Sequence, residues 1–126
     1  MNASARQRVG QRGEAIAVQH LRSAGYRIEQ TNVRFPVGEI DIVAWEGETL
    51  CFVEVRSASS DHWGGPLASV THRKQHRLIQ AARWCLARRR ELPIETRFDV
   101  VGICWSNPQA PSVTLVRGAF DVGARW

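Results

Sequence analysis

A single lysine, Lys74, stands among seventeen basic residues; the other sixteen are arginine. Long apolar runs are missing too. No stretch approaches the length of a membrane-spanning helix, and the first fifteen residues carry no apolar core of a secretion signal, so a cytoplasmic protein without membrane contact is expected. Cysteine is sparse: Cys51, Cys85 and Cys104 are odd in number, far apart and set among apolar residues. They match neither a CxxC pair nor a zinc spacing, so they read as reduced core thiols. Low-complexity tracts and internal repeats are absent as well. With 44% hydrophobic residues in 126, the chain has material for one folded domain with one core.

Charge is what the chain has in excess. A net +5 and a pI near 10.1 favour a polyanionic partner, because Lys and Arg replace the counterions of phosphates. Many small soluble proteins are basic, so charge alone selects nothing.

The apolar periodicity predicts a helix from residue 9 or 10 to 24, with Ala17, Val18, Leu21 and Ala24 on one stripe and Gly25 to stop it. Tyr26, Arg27 and Ile28 read as a short extended entry. Residues 38–44 and 50–56 are two alternating β-branched runs around a glycine-containing turn, which is a hairpin pattern. Residues 57–70 are polar and punctuated by Gly and Pro, as a surface loop would be. Thr71 offers an N-cap to a second helix through about residue 89, on the stripe Leu78, Ala81, Ala82, Cys85 and Leu86. Residues 96–105 then read as a central strand and 112–117 as a shorter last one. The expectation is an α/β fold: one mixed central sheet flanked by two main helices, with residues 1–9 as a flexible arm.

Two acids interrupt the hairpin strands. A two- or four-residue turn around Gly47 and Glu48 pairs positions that sum to 95, which sets Asp41 opposite Glu54 with Cβ atoms roughly 5 Å apart. Carboxylates that close repel each other unless a cation lies between them, and Mg²⁺ takes one or two carboxylates plus waters. The same register puts Glu39 opposite Arg56, as a cross-strand ion pair. It also puts Asp41 and Glu54 on one face and Ile40, Ile42, Val53 and Val55 on the other. The ordinary alternative is a pair of edge-strand acids satisfied by Arg34 or Arg56. Each helix also carries a charge on its apolar stripe near its N-terminal end: Glu14 one turn ahead of Val18, and Lys74 one turn ahead of Leu78. Glu14 suits the helix dipole. A cation in the first turn does not, which makes Lys74 the odder placement.

Taken together, GEIDIVA, LCFVEVR, a Gly-rich loop, VTHRKQHRL and RFDVV closely resemble the YraN-like family of bacterial proteins. That family is similar to archaeal Holliday-junction resolvases within the restriction-endonuclease-like, PD-(D/E)xK superfamily, and the resemblance spans about residues 13–120. It implies that Asp41, Glu54 and the carbonyl of Val55 bind Mg²⁺ or Mn²⁺, that Glu14 is the helix-borne acid, and that Arg56 stands where the motif has lysine. Arginine there can stabilise charge or orient water but is a poor general base, which leaves Lys74 to supply an ammonium from the next helix. The implied chemistry is divalent-metal-assisted hydrolysis of DNA phosphodiesters, on branched or structured DNA; resolvase-like relatives act as dimers, so a homodimer is implied as well.

Arg73, Arg77, Trp84 and Arg88 fall near one helical line, with Arg83, Arg89 and Arg90 close by; Arg6, Arg8 and Arg12 add basic charge at the N-terminus. Of these, Arg73, Arg77 and Arg12 are the expected phosphate contacts, with Trp63 or Trp84 to stack on an unpaired base; a solvated helix face reads equally well for residues 88–90. His72 and His76 lack the Glu that an i, i+4 zinc pair would need. With His62 they read as surface or phosphate contacts, and Asp99 as a structural acid at a strand end. Beside the endonuclease stand a nucleic-acid-binding module that keeps the fold but cleaves weakly or not at all, and an interaction protein with a basic docking surface.

Overall fold

The protein's structure is a computed structural model that describes residues 3–60 and 62–122. Helix α1 (Ala3–Ser23) is followed by strands β1 (Arg27–Phe35), β2 (Gly38–Glu46) and β3 (Thr49–Ala58). A 3-10 helix (His62–Ser69) and helix α2 (His72–Ala87) lead to β4 (Glu95–Cys104) and β5 (Ser112–Phe120). The five strands form one mixed sheet in chain order, antiparallel except for the parallel pair β3–β4. A parallel pair cannot be joined by a tight turn, and the 3-10 helix with α2 forms its crossover.

The two helices cover opposite faces. Ala17 and Leu21 of α1 pack with Ile42, Ala44, Cys51, Val53, Val101 and Ile103. Leu78, Ile79, Ala82 and Cys85 of α2 pack with Val43, Leu50, Phe52 and Phe98. This is the period-2 alternation of the strands sorted onto two helical stripes. The 3-10 helix closes the second face beyond the end of α2, where a Cβ on Gly102 would meet Leu67 and Pro66 at 3.1 Å. All three cysteines are buried free thiols, as expected. Among the described residues no helix is long and apolar enough to cross a membrane.

Several elements differ from expectation. Helix α1 begins at Ala3, so residues 3–9 are helical rather than an arm. The short entry after Gly25 is a nine-residue strand, β1, with a bulge between Ile28 and Gln30. The bulge carries Glu29 to Arg89 and the Trp45 indole, which hold its carboxyl at about 2. Arg89 is therefore tied into the fold rather than free on the basic face. Asp99 is structural as expected, but sits in mid-strand and fully buried. It accepts from Tyr26 Oη (2.7 Å), Arg97 Nε (2.8 Å) and the Gly118 N–H (3.0 Å). Burial works against its charge, yet these donors outweigh that and its carboxyl lies below the usual value.

Candidate metal and nucleic-acid site

The hairpin register is the expected one: β2–β3 pairs run from Glu46–Thr49 to Ile42–Val53, each summing to 95. There the two strands part. β2 stays bonded to β1 as far as Gly38, and β3 stays bonded to β4 as far as Ala58. Asp41 lies where the strands part. In a continued ladder Val55 would face Ile40; instead its N–H donates to Asp41 Oδ2 at 2.8 Å. The carboxylate has taken the place of a backbone acceptor.

Parting also breaks the side-chain alternation. Ile40 packs with Val43 on the α2 face while Ile42, Val53 and Val55 pack on the α1 face, so the expected grouping of Ile40 with Ile42 does not form. Asp41 and Glu54 do not share one face either. Glu54 lines a hollow of about 610 Å³ on the α2 side, with Arg34, Glu39, Arg56, Lys74 and Arg77. Asp41 lines one of about 780 Å³ on the α1 side, with Glu14, Asn32, Val55 and Ser57; Arg34 and Arg56 border both.

The two carboxyls nevertheless lie close enough to act on each other's ionisation. Burial first, and then the charge of Asp41, push Glu54 up to about 7, so its carboxyl holds a proton well above the usual carboxylate range. Burial also raises Asp41, helped by Glu39 and Glu14 and opposed by the Val55 N–H.

Arg56 donates from Nε to Ser69 Oγ (2.8 Å) and lies 3.4 Å from Glu54 Oε1 through Nη1. Ser69 in turn donates to the Pro66 carbonyl (2.6 Å), so the 3-10 helix fixes the guanidinium. Glu39 pairs with Arg34 (3.6 Å) rather than with Arg56, because its strand has already left β3. Thr71 caps α2, accepting from the Lys74 N–H at 3.3 Å, and sets Lys74 at the rim of the Glu54 hollow. Gly38 permits the close approach of β2 to α2: a Cβ there would lie 3.1 Å from the Arg77 carbonyl.

The structure thus brings Asp41, Glu54, Val55, Arg56, Glu14 and Lys74 around one fork. Arg77 lines the Glu54 hollow, and Arg73 is exposed on the first turn of α2. Arg12 points elsewhere, its guanidinium 4.9 Å from the Trp105 ring centre and 3.3 Å from the Pro108 carbonyl. Trp84 leans on Phe35 (6.1 Å), and Arg88 lies 5.2 Å from both rings. The side chains of Arg6, His62 and Trp63 lie outside the described residues.

Asn32 and Ser69 are at the site without having been read from the sequence. Asn32 was legible in principle, since asparagine tolerates the left-handed backbone it adopts here (φ 52°). Ser69 sits in a loop whose 3-10 turn leaves no periodic signal.

A profile of the uncharacterised protein family UPF0102 matches residues 13–103. The chain belongs to this family. Among its relatives, the UPF0102 protein of Moorella thermoacetica is 45% identical over 117 residues, covering 91% of this chain and 97% of its own. That of Chlorobaculum tepidum is 45% identical over 128 residues, covering 98% of each. The Geobacter metallireducens member is 41% identical over 114 residues, covering 90% of this chain and 93% of its own. The matched stretch of this UPF0102 chain holds Glu14, Asn32, Asp41, Glu54, Arg56 and Lys74, so the whole fork lies inside the family region.

Proposed function

We propose that this protein is a divalent-metal-dependent endonuclease of restriction-endonuclease-like fold that hydrolyses DNA phosphodiester bonds in the cytoplasm. One observation carries the reading. Two strand-borne acids come together at a fork in an otherwise apolar sheet, where burial and their mutual repulsion raise both carboxyls and a cation between them would relieve the cost.

The donor set fits Mg²⁺ or Mn²⁺. Asp41 and Glu54 supply two carboxylates. The N–H and C=O of a strand residue face the same edge, so the Val55 carbonyl opens into the same gap as its N–H. Among the described residues no three His, Cys, Asp or Glu cluster as ligands, and a pair of acids with waters is what Mg²⁺ accepts. When bound, the ion would supply the positive charge that ionises the pair and polarises a phosphoryl oxygen. Around it Arg56, fixed by Ser69, would steady a phosphate, with Lys74 and Arg77 drawing the strand into the Glu54 hollow. Structured or branched DNA, and a homodimer to grip it, belong to this reading as proposals.

Mn²⁺ titration followed by cleavage assays on duplex, single-stranded, flapped and four-way DNA tests it. Binding lost in Asp41→Asn, together with metal-dependent cleavage, supports the endonuclease. A second reading rests on Arg56, which cannot deprotonate and is already tied to Ser69 and Glu54. Metal binding with no cleavage of any substrate would make the protein a nucleic-acid-binding module instead. Comparing Arg56→Ala with Lys74→Ala then assigns the cation: cleavage intact in Lys74→Ala but abolished in Arg56→Ala removes Lys74 from the chemistry.

A further inference from the structure

Asn32 is unusual in β1 on two counts. Its φ of 52° is left-handed at a non-glycine position inside a strand, a conformation that asparagine tolerates better than other side chains. The pairs Thr31–Ile42 and Val33–Ile40 bracket it, so Asn32 lies across from Asp41. From there its Nδ2 donates to both carboxylate oxygens of Glu14 on α1, at 2.8 Å each. Glu14, Asn32, Asp41 and Val55 line one hollow.

A third acid beside a carboxylate pair has an obvious fate, which is to join the ion as a third anionic ligand. Glu14 does not stand that way. Among the described residues it forms no three-acid cluster with Asp41 and Glu54, although its charge is felt at Asp41. The amide that engages both its oxygens accounts for the separation.

We propose that Asn32 is a positioning residue that holds Glu14 beside Asp41 but off the cation. A carboxylate has about four lone-pair sites, so with two given to Asn32 it can still accept from a water approaching the phosphodiester. The left-handed backbone at position 32 accompanies the contact, with the amide reaching out of β1 to α1. This inference rests on the carboxylate-pair reading above.

Asn32→Gly keeps the left-handed backbone and removes the amide. Glu14 is then free to reach the ion as an added anionic ligand, so Mn²⁺ affinity should rise about fivefold while cleavage slows. In a Glu14→Ala background the same change should move Mn²⁺ affinity less than about twofold, because the residue acts only through Glu14. Glu14→Ala alone should keep wild-type Mn²⁺ affinity within about threefold, since Glu14 is not a ligand. A merely structural Asn32 would lower the melting temperature and leave Mn²⁺ binding unchanged or weaker. Either of those metal results in Asn32→Gly overturns the proposal, as does a tenfold or greater loss in Glu14→Ala. The last test needs no folded Asn32 variant. Absence of Mn²⁺ binding in the wild type is a different failure, which takes down the carboxylate-pair reading itself.

Discussion

Replacing Glu54 with glutamine should make the protein more stable, and by an amount that depends on pH. Glu54 sits at about 7 in the folded chain against an ordinary 4.5, a gap worth about 3 kcal/mol at 1.36 kcal/mol per unit. Because the folded value is raised, the folded state holds more protons than the unfolded one between these limits. Stability from this group is therefore full below about pH 4.5, falls as pH rises toward about 7, and stays low above. Glutamine mimics the protonated acid: its amide can still donate to Asp41, and it never ionises. It forfeits the 3.4 Å contact to Arg56, so we expect a net gain of about 1–2 kcal/mol at about pH 8. For a chain of this size that is a rise in Tm of roughly 3–10 °C. Near about pH 4.5 the two proteins should differ by less than about 0.5 kcal/mol. Urea unfolding followed by circular dichroism, with chelator present, reads both numbers. Other acids titrate in both proteins, so the difference between them isolates Glu54. A Glu54→Gln protein less stable than wild type at the higher pH, or one with the same pH slope, would refute the forced-pair argument. Adding Mn²⁺ should narrow the gap, because only the wild type gains by binding.

Asp99→Ala should cost about 1–3 kcal/mol, because it removes the buried acceptor of the Tyr26 hydroxyl and leaves Arg97 with Glu46 as its carboxylate partner; a shift in urea midpoint measures it, and no measurable cost would contradict the network. Gly38→Ala should destabilise by about 1–3 kcal/mol, since its Cβ meets backbone rather than a movable side chain. The same variant should also displace Arg77 and so alter the salt dependence of DNA binding. Thr71→Ala should cost about 1 kcal/mol through loss of the α2 cap, read as a lower melting temperature.

The hairpin register was legible because its turn length and its alternation agree on one sum, and a one-residue slip would have buried charge. Glu14 and Lys74 were legible as charges on otherwise apolar stripes, and Thr71 as a cap. What escaped were features decided by strands meeting other strands. Nothing in residues 38–41 tells that β2 pairs with β3 only from Ile42 onward, because that depends on β1 and β4 each keeping its own partner. Hence Ile40 was placed on the wrong face and Glu39 was given the wrong arginine. The extent of β1 was missed because its residues alternate weakly, half-buried and exposed, with a bulge at Glu29. With β1 cut short, Asn32 had no partner to reveal it.

The fork has a mechanical consequence. Its two arms behave like the jaws of a caliper: each is clamped from outside, by β1 or by β4, and no backbone ladder joins them, only the Val55 N–H to the Asp41 carboxylate. The opening is therefore gauged by the outer registers as well as by the hairpin that joins the acids in sequence. One residue added to the turn between Phe35 and Gly38 would slide the Asp41 jaw along β1 and change the span between the acids while both remained in place. A chain built this way can retune the spacing of its two acids from parts of the sheet that no substrate touches.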